Sequence, residues 1–160
     1  MPGRLRWLLL LVGLAFVLNA CGSANYNGYK MAPYQVRGRH YHPMPIEAAL
    51  VHSEEGLASW YDERRWFGLV RGTTALGEKY RPHALAGAHK TLPLPCRVRV
   101  VNLENGRSVT IRLNDRGPFI DGRILDVTPK VARRLRFREQ GLTRVRLEVL
   151  SVGDGSYRRS

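Results

Sequence analysis

Cysteine is nearly absent: Cys21 and Cys96 are the only two in 160 residues. Two thiols so far apart in the chain exclude a small fold held by a disulfide framework. Acidic residues are scarce as well, with 13 against 26 lysines and arginines and a formal net charge of +13. An excess of that size directs attention to polyanions: nucleic acid, anionic lipid or an acidic polymer. Internal repeats and low-complexity tracts are missing. The one long apolar run, Trp7 to Leu18, is too short for a comfortable transmembrane helix.

That run follows Arg4 and Arg6 and ends in LNAC, the layout of an export signal with a basic start, an apolar core and a small residue at the cleavage point. Residues 1–20 are therefore expected to be a signal peptide outside the fold. Cys21 after Ala20 resembles a lipobox, in which the cysteine is acylated and becomes the first residue. Several acyl chains, at about 0.8 kcal/mol per buried methylene, would hold the domain at a membrane. Gly22 stands where an inner-membrane retention signal would place Asp, which points to the outer membrane, facing the periplasm. Acylation of Cys21 leaves Cys96 alone, and a lone thiol in an oxidising compartment is expected to be buried and inert. Export argues against nucleic acid. The carboxylate-rich cell wall is then the natural polyanionic partner, beside the plainer reading of a soluble basic surface.

The remaining length supports one modest core. Residues 21–55 are rich in Gly, Pro, Tyr and His with little periodicity and read as a linker with extended, docked pieces. The domain is expected over 56–150. Arg97-Val98-Arg99-Val100 alternates, Glu104-Asn105-Gly106 supplies a turn, and Val109-Ile111-Leu113 alternates back, predicting a hairpin over 97–113. Val145, Leu147 and Val149 oppose Arg144, Arg146 and Glu148 on a final strand. Thr128-Pro129 predicts a helix start with Pro at its first position, followed by a short amphipathic stretch. Residues 151–160 read as a tail. A mainly β domain with one short helix and many turns predicts a closed barrel, because closure removes exposed strand edges.

Three polar residues stand in apolar or tight-turn settings: Glu78 in TALGEKY, His89 in AGAHKTLP and Asp115 in RLNDRGPF. Each also fits a structural role, as a solvated turn, a hydrogen-bonded histidine and an Asx-type turn. No Ser-His-Asp order, Cys-His pairing or phosphate-cradling glycine loop accompanies them. The five histidines are too scattered for a metal site, and neither metal nor cofactor is expected. Carboxylates alone suffice to break a glycosidic bond: one protonates the leaving oxygen while negative charge steadies the oxocarbenium.

The runs GLASWY (56–61), TTALGEKY (73–80), AGAHKTLPLP (86–95), VRVVNLENGRSVTIRLNDRGPF (98–119) and DGRILDVTPKVARRL (121–135) closely resemble the rare lipoprotein A family. YKMAPYQVRGRHYHPM (29–44) resembles that family's segment before the barrel. The resemblance implies a six-stranded double-psi β-barrel in an envelope lipoprotein, and the chain is expected to be a monomer. It also implies lytic transglycosylase action on peptidoglycan glycan strands stripped of stem peptides, leaving 1,6-anhydro-N-acetylmuramic acid ends. It puts functional positions on Glu78, His89 and Asp115, with Asp115 as the acid and base, Glu78 steadying charge and His89 hydrogen-bonding a carboxylate or hydroxyl. Trp60, Tyr61, Asn114 and Arg116 are expected beside the sugar, with core packing an equal reading for Trp60. Arg116 is expected to point away from Asp115, into structure or towards a lactyl carboxylate.

Three departures touch one wall of that cleft. Asp62 replaces the Gly usual after Trp-Tyr, Leu76 replaces a small polar residue two before Glu78, and WFGLVRGTTA (66–75) loosens the customary lead-in. The C-terminal peptidoglycan-binding SPOR domain of many members is not expected, since the chain stops soon after the last strand. A noncatalytic, expansin-like glycan binder is the rival reading, and a structural envelope partner a third.

Overall fold

Alternation carries the chain into three strands with an inner and an outer face. Along β7 (Cys96–Asn102) Cys96, Val98, Val100 and Asn102 are buried while Arg97 and Arg99 are exposed. β8 (Ser108–Asp115) returns antiparallel, with Ile111 and Leu113 buried. β10 (Leu142–Val152) buries Thr143, Val145, Leu147 and Val149 and exposes Arg144 and Arg146. A strand with one buried face pins its register, because a slip of one residue turns every side chain over. The expected hairpin and final strand are both present.

The computed structural model describes residues 30–62, 64–65 and 70–158. The expected signal peptide, Cys21 and residues 66–69 of the loosened lead-in lie outside the described residues. In chain order the other elements are β1 (Tyr34–Val36), β2 (Arg39–Tyr41), α1 (Ile46–Leu50), β3 (Ser53–Trp60) and the two-residue strands β4 (Arg64–Arg65) and β5 (Val70–Arg71). Then come β6 (Ala86–His89), β9 (Arg123–Val127), α2 (Pro129–Arg134) and β11 (Tyr157–Arg158).

Six strands close on themselves in the order β10-β3-β9-β6-β8-β7 and back to β10. The β3–β9 and β6–β8 neighbours run parallel and the rest antiparallel. The barrel is thus closed, mixed and mainly β, as expected, with two short helices among the described residues where one was foreseen. Its interior is filled by aliphatic side chains, among them Val98, Ile111, Leu113, Leu125, Val145 and Leu147. Cys96 is buried there and its thiol is pushed up to about 12 by burial, which suits an inert packing residue.

α2 begins where the sequence places it, with Thr128 as the N-cap and Pro129 behind it. The Thr128 hydroxyl, however, donates to Ala84 O at 2.7 Å rather than capping the helix. From residue 30 onward the segment before the barrel is built onto it. Lys30 N–H donates to Leu94 O and Met44 N–H to Thr91 O, and α1 packs against β10. β3 starts at Ser53, ahead of Gly56, and β10 runs into the segment read as a tail, where β11 folds back on it.

Gly87 lies directly against the backbone of β9. A Cβ there would meet Asp126 O at 2.8 Å and Ile111 Cδ1 at 3.1 Å, and backbone cannot yield as a flexible side chain does. Gly87→Ala is expected to destabilise the barrel by about 1–3 kcal/mol, read as a lower midpoint in urea with an unchanged slope.

Candidate active site

β8 ends in Asn114-Asp115, and the turn Thr74–Glu78 docks against that end. Thr74 N–H donates to Glu78 O at 2.8 Å and Gly77 N–H to Thr74 O, with Gly77 at a φ of 82° that a side chain rarely adopts. The closed turn then meets the strand end at several points. Ala75 N–H donates to Asp115 Oδ1 at 2.8 Å, and Leu76 N–H to Asn114 O at 3.3 Å. Asn114 Nδ2 donates to Glu78 Oε2 at 2.7 Å, and Arg112 Nη1 reaches both Glu78 oxygens at 2.8 and 2.9 Å. Two sequence motifs almost forty residues apart become one surface.

The two carboxylates there have different surroundings. Glu78 has a side chain 42% exposed, and its ion pair with Arg112 is shared, because Arg112 also binds Asp154. Asp115 is half-buried. Burial raises its pKa above the ordinary value, against the opposing pull of the Ala75 and Arg116 N–H groups, the Tyr61 hydroxyl and the Arg116 charge. Both N–H groups fall on Oδ1 at 2.8 Å, and Tyr61 OH donates to Oδ2 at 3.3 Å. A carboxyl raised by desolvation while still held by donors is poised to carry a proton and to give it up.

Tyr61 extends this arrangement into a groove of about 390 Å³, whose walls include Tyr61, Thr74, Glu78, Tyr80, Arg112 and Asn114. Tyr80 OH donates to Tyr61 O, and the two rings lie 5.2 Å apart. Asn114 Oδ1 is buried without a hydrogen-bond partner among the described residues. Turning the amide over would set that oxygen against Glu78, so the orientation follows from the carboxylate. Leu76 is partly buried against the core and is not among the groove walls. Asp62 is exposed beside Tyr61.

His89 does not join the two carboxylates. Its ring is buried, with Nδ1 accepting Thr91 N–H at 3.1 Å and Leu92 N–H at 2.9 Å. A nitrogen that accepts two donors carries no proton, so Nε2 is the protonated one and donates to Glu54 Oε1 at 2.5 Å. Burial pushes the His89 pKa down, partly opposed by Glu54. In Glu54 the order reverses: burial would raise it, and the bonds and charges of His89 and His52 together hold it below the ordinary value. His52 Nε2 lies 3.2 Å from the same Glu54 oxygen.

Arg116 turns its side chain from Asp115 to backbone carbonyls. Nη1 donates to Leu92 O and Nη2 to Lys30 O, each at 2.6 Å, and the guanidinium sits 5.3 Å from the centre of the Tyr34 ring. Trp60 packs partly against the core, its Nε1–H donating to Arg138 O at 3.0 Å and Arg138 lying over its ring. Sequence reasoning missed Arg112 and Glu54. Arg112 was legible as the outward position before Asn114 on an alternating strand; Glu54, in a run of acids before GLASWY, carried no signal. Asp126 was missed too. It is a second carboxyl raised by burial, bound by Ser59 Oγ–H and near Arg123 and Lys90. Among the described residues no three His, Cys, Asp or Glu side chains gather in a way that could hold a metal ion.

The sequence profile of the family described as lytic transglycolase matches residues 53–147. The protein named endolytic peptidoglycan transglycosylase RlpA from Rickettsia felis is 43% identical over 127 residues, covering 78% of this chain and 54% of that one. Its namesake in Pseudomonas aeruginosa PAO1 is 44% identical over 124 residues, covering 77% and 34%. That of Rickettsia bellii is 36% identical over 169 residues, covering 89% and 72%. The chain spans only 35% to 54% of the length of three such Rickettsia relatives. Among solved structures, Streptomyces papain inhibitor (SPI) superposes with a TM-score of 0.47 at 17% identity, over 61% of this chain and 94% of that one.

The His89–Glu54 pair sets a pH dependence of stability. A histidine whose folded pKa is depressed binds its proton more readily when unfolded, so stability is lost as pH falls below the ordinary value of 6.5. The depressed Glu54 adds a loss in the same direction lower down, below 4.5. The melting temperature is expected to drop between pH 7.5 and 5, and His89→Gln to flatten that drop while lowering stability at pH 7.5 by about 1–3 kcal/mol.

Proposed function

The chain belongs to the lytic transglycolase family, and on that footing we propose that it cleaves peptidoglycan glycan strands internally by lytic transglycosylation. The observation that carries this reading is Asp115, a half-buried carboxyl with a raised pKa, linked through Tyr61 to the groove that Glu78, Arg112 and Asn114 line.

The chemistry asks for one proton to move twice. Asp115 protonates the glycosidic oxygen as its bond to the anomeric carbon of N-acetylmuramic acid breaks, and the bonding electron pair leaves with that oxygen. The C6 hydroxyl of the same sugar closes on the anomeric carbon, and its proton returns to Asp115. The product carries a 1,6-anhydro ring and no water is consumed. Because the nucleophile is already attached to the reacting sugar, proximity supplies much of the advantage. Desolvation favours the protonated form of Asp115 at the start, and the N–H donors on Oδ1 stabilise the carboxylate formed midway.

Glu78 acts on the sugar from the groove wall. Its charge is tempered by Arg112, which suits orienting hydroxyls and steadying positive charge without repelling the departing oxygen. Asn114 fixes Glu78 and faces the same groove, while Tyr61 meets both the groove and Asp115. His89 is a positioning residue. It receives Leu92 N–H, Leu92 O receives Arg116, and the Arg116 backbone donates to Asp115. Trp60 serves in the same supporting way. The proposal includes an envelope location, acyl anchoring through Cys21 at the outer membrane and action as a monomer.

Asp115→Asn is expected to lower the release of anhydro-ended fragments from stripped peptidoglycan at least about 100-fold, measured by mass spectrometry. Undiminished release would overturn the assignment. Fold is not at risk, because a raised carboxyl contributes stability when protonated and loses it as pH rises through its folded pKa. The neutral Asn is therefore expected to melt no lower than the parent at pH 7.5, with the difference narrowing towards pH 4. Glu78→Gln, which keeps the shape and loses the charge, is expected to cut release about tenfold.

A further inference from the structure

Cleavage inside a strand needs sugar rings on both sides of the broken bond, yet the Glu78 groove engages only one flank of Asp115. Asn114 and Thr74 line that groove. Their neighbours, Arg116 in the strand end and Ala75 in the turn, line a different cavity of about 360 Å³. Asp115, bound to Ala75 N–H and set in the chain between Asn114 and Arg116, has residues of both cavities on either side of it. Both are within the range that takes small ligands.

The far wall of the second cavity comes from the segment ahead of the barrel: Lys30, Ala32, Pro33 and Tyr34. That wall is anchored to the same loop that carries Asp115. Arg116 donates to Lys30 O, Tyr34 OH donates to Lys90 O at 2.7 Å, and the Tyr34 and Tyr41 rings stack at 5.2 Å beside Phe119. Ala32, Pro33, Ala75 and the Tyr34 ring make the cavity largely apolar, which suits the C–H face of a pyranose. Lys30 and Arg116 add two cations, and Lys30 has no acidic partner among the described residues.

Resting on the lytic reading, we propose that this second cavity is the glycan subsite across the scissile bond from the Glu78 groove. The 30–34 segment is then part of the binding site and not a tether. The ligand is the next amino-sugar ring of the strand, and the two cations match the carboxylate of a muramic residue.

The test is calorimetric binding of a four-sugar and a two-sugar fragment of stripped glycan to Asp115→Asn protein, which binds without turnover. Ala32→Trp, added to that background to fill the cavity, is expected to weaken four-sugar binding about tenfold. Two-sugar binding in the Glu78 groove and the melting temperature stay the same. Ala32→Leu, which fills less of the space, gives a smaller loss in the same direction and covers the case in which Trp unsettles the segment. Unchanged four-sugar affinity in both variants overturns the subsite, as does no binding of either fragment to the parent. If the unmutated chain releases no anhydro ends while the Ala32 effect persists, the subsite stands and only the lytic reading falls.

Discussion

The docking of the Thr74–Glu78 turn on the end of β8 is the constraint on which the rest of the site depends. Without it Ala75 N–H has no carboxylate to bind, Asn114 has no acceptor, and Arg112 pairs with Asp154 alone. The contact works in both directions. The turn partly covers Asp115 and so contributes the desolvation that raises its pKa, while the strand end gives Glu78 its orientation. Closure of the barrel makes this possible, because β8 is paired on both sides and its end is a fixed platform.

A second support runs beneath the first. Glu54 on β3 holds the buried His89 ring, His89 gathers the 91–92 backbone, and that backbone receives the Arg116 guanidinium. A protonated His89 would have to surrender two N–H bonds at Nδ1, which is why burial and geometry agree on the neutral ring. Arg116 in turn ties down Lys30, so the segment before the barrel and the strand end are braced through one side chain. The departure at Leu76 leaves this intact, since its side chain packs against the core and its backbone, not its side chain, meets Asn114.

Much of the barrel was legible in the sequence. Period-two alternation in 97–113 and 143–149 determined strands, faces and register, because water sorts apolar from charged side chains at every second position. Gly106 and Thr128-Pro129 marked the turn and the helix start through local backbone chemistry. Asp115, Glu78 and His89 stood out by their settings, but only motif resemblance gave them functional roles, since each fits an ordinary structural role when read alone.

Tertiary structure decided the division of labour among them. The burial that raises Asp115 depends on what covers it, and neither Ala75 nor Tyr61 is near Asp115 in the chain. Whether a histidine faces a groove or a buried carboxylate depends on the pairing of β6 with its neighbours and on β3 bringing Glu54 alongside. The docking of residues 30–45 rests on carbonyls of the 90–94 loop and on an aromatic stack, long-range contacts that leave no periodic trace. The sequence by itself determined which residues face inward, because that follows from local alternation. Only the folded barrel determined which polar groups meet, because desolvation and hydrogen bonding are set by partners far away along the chain.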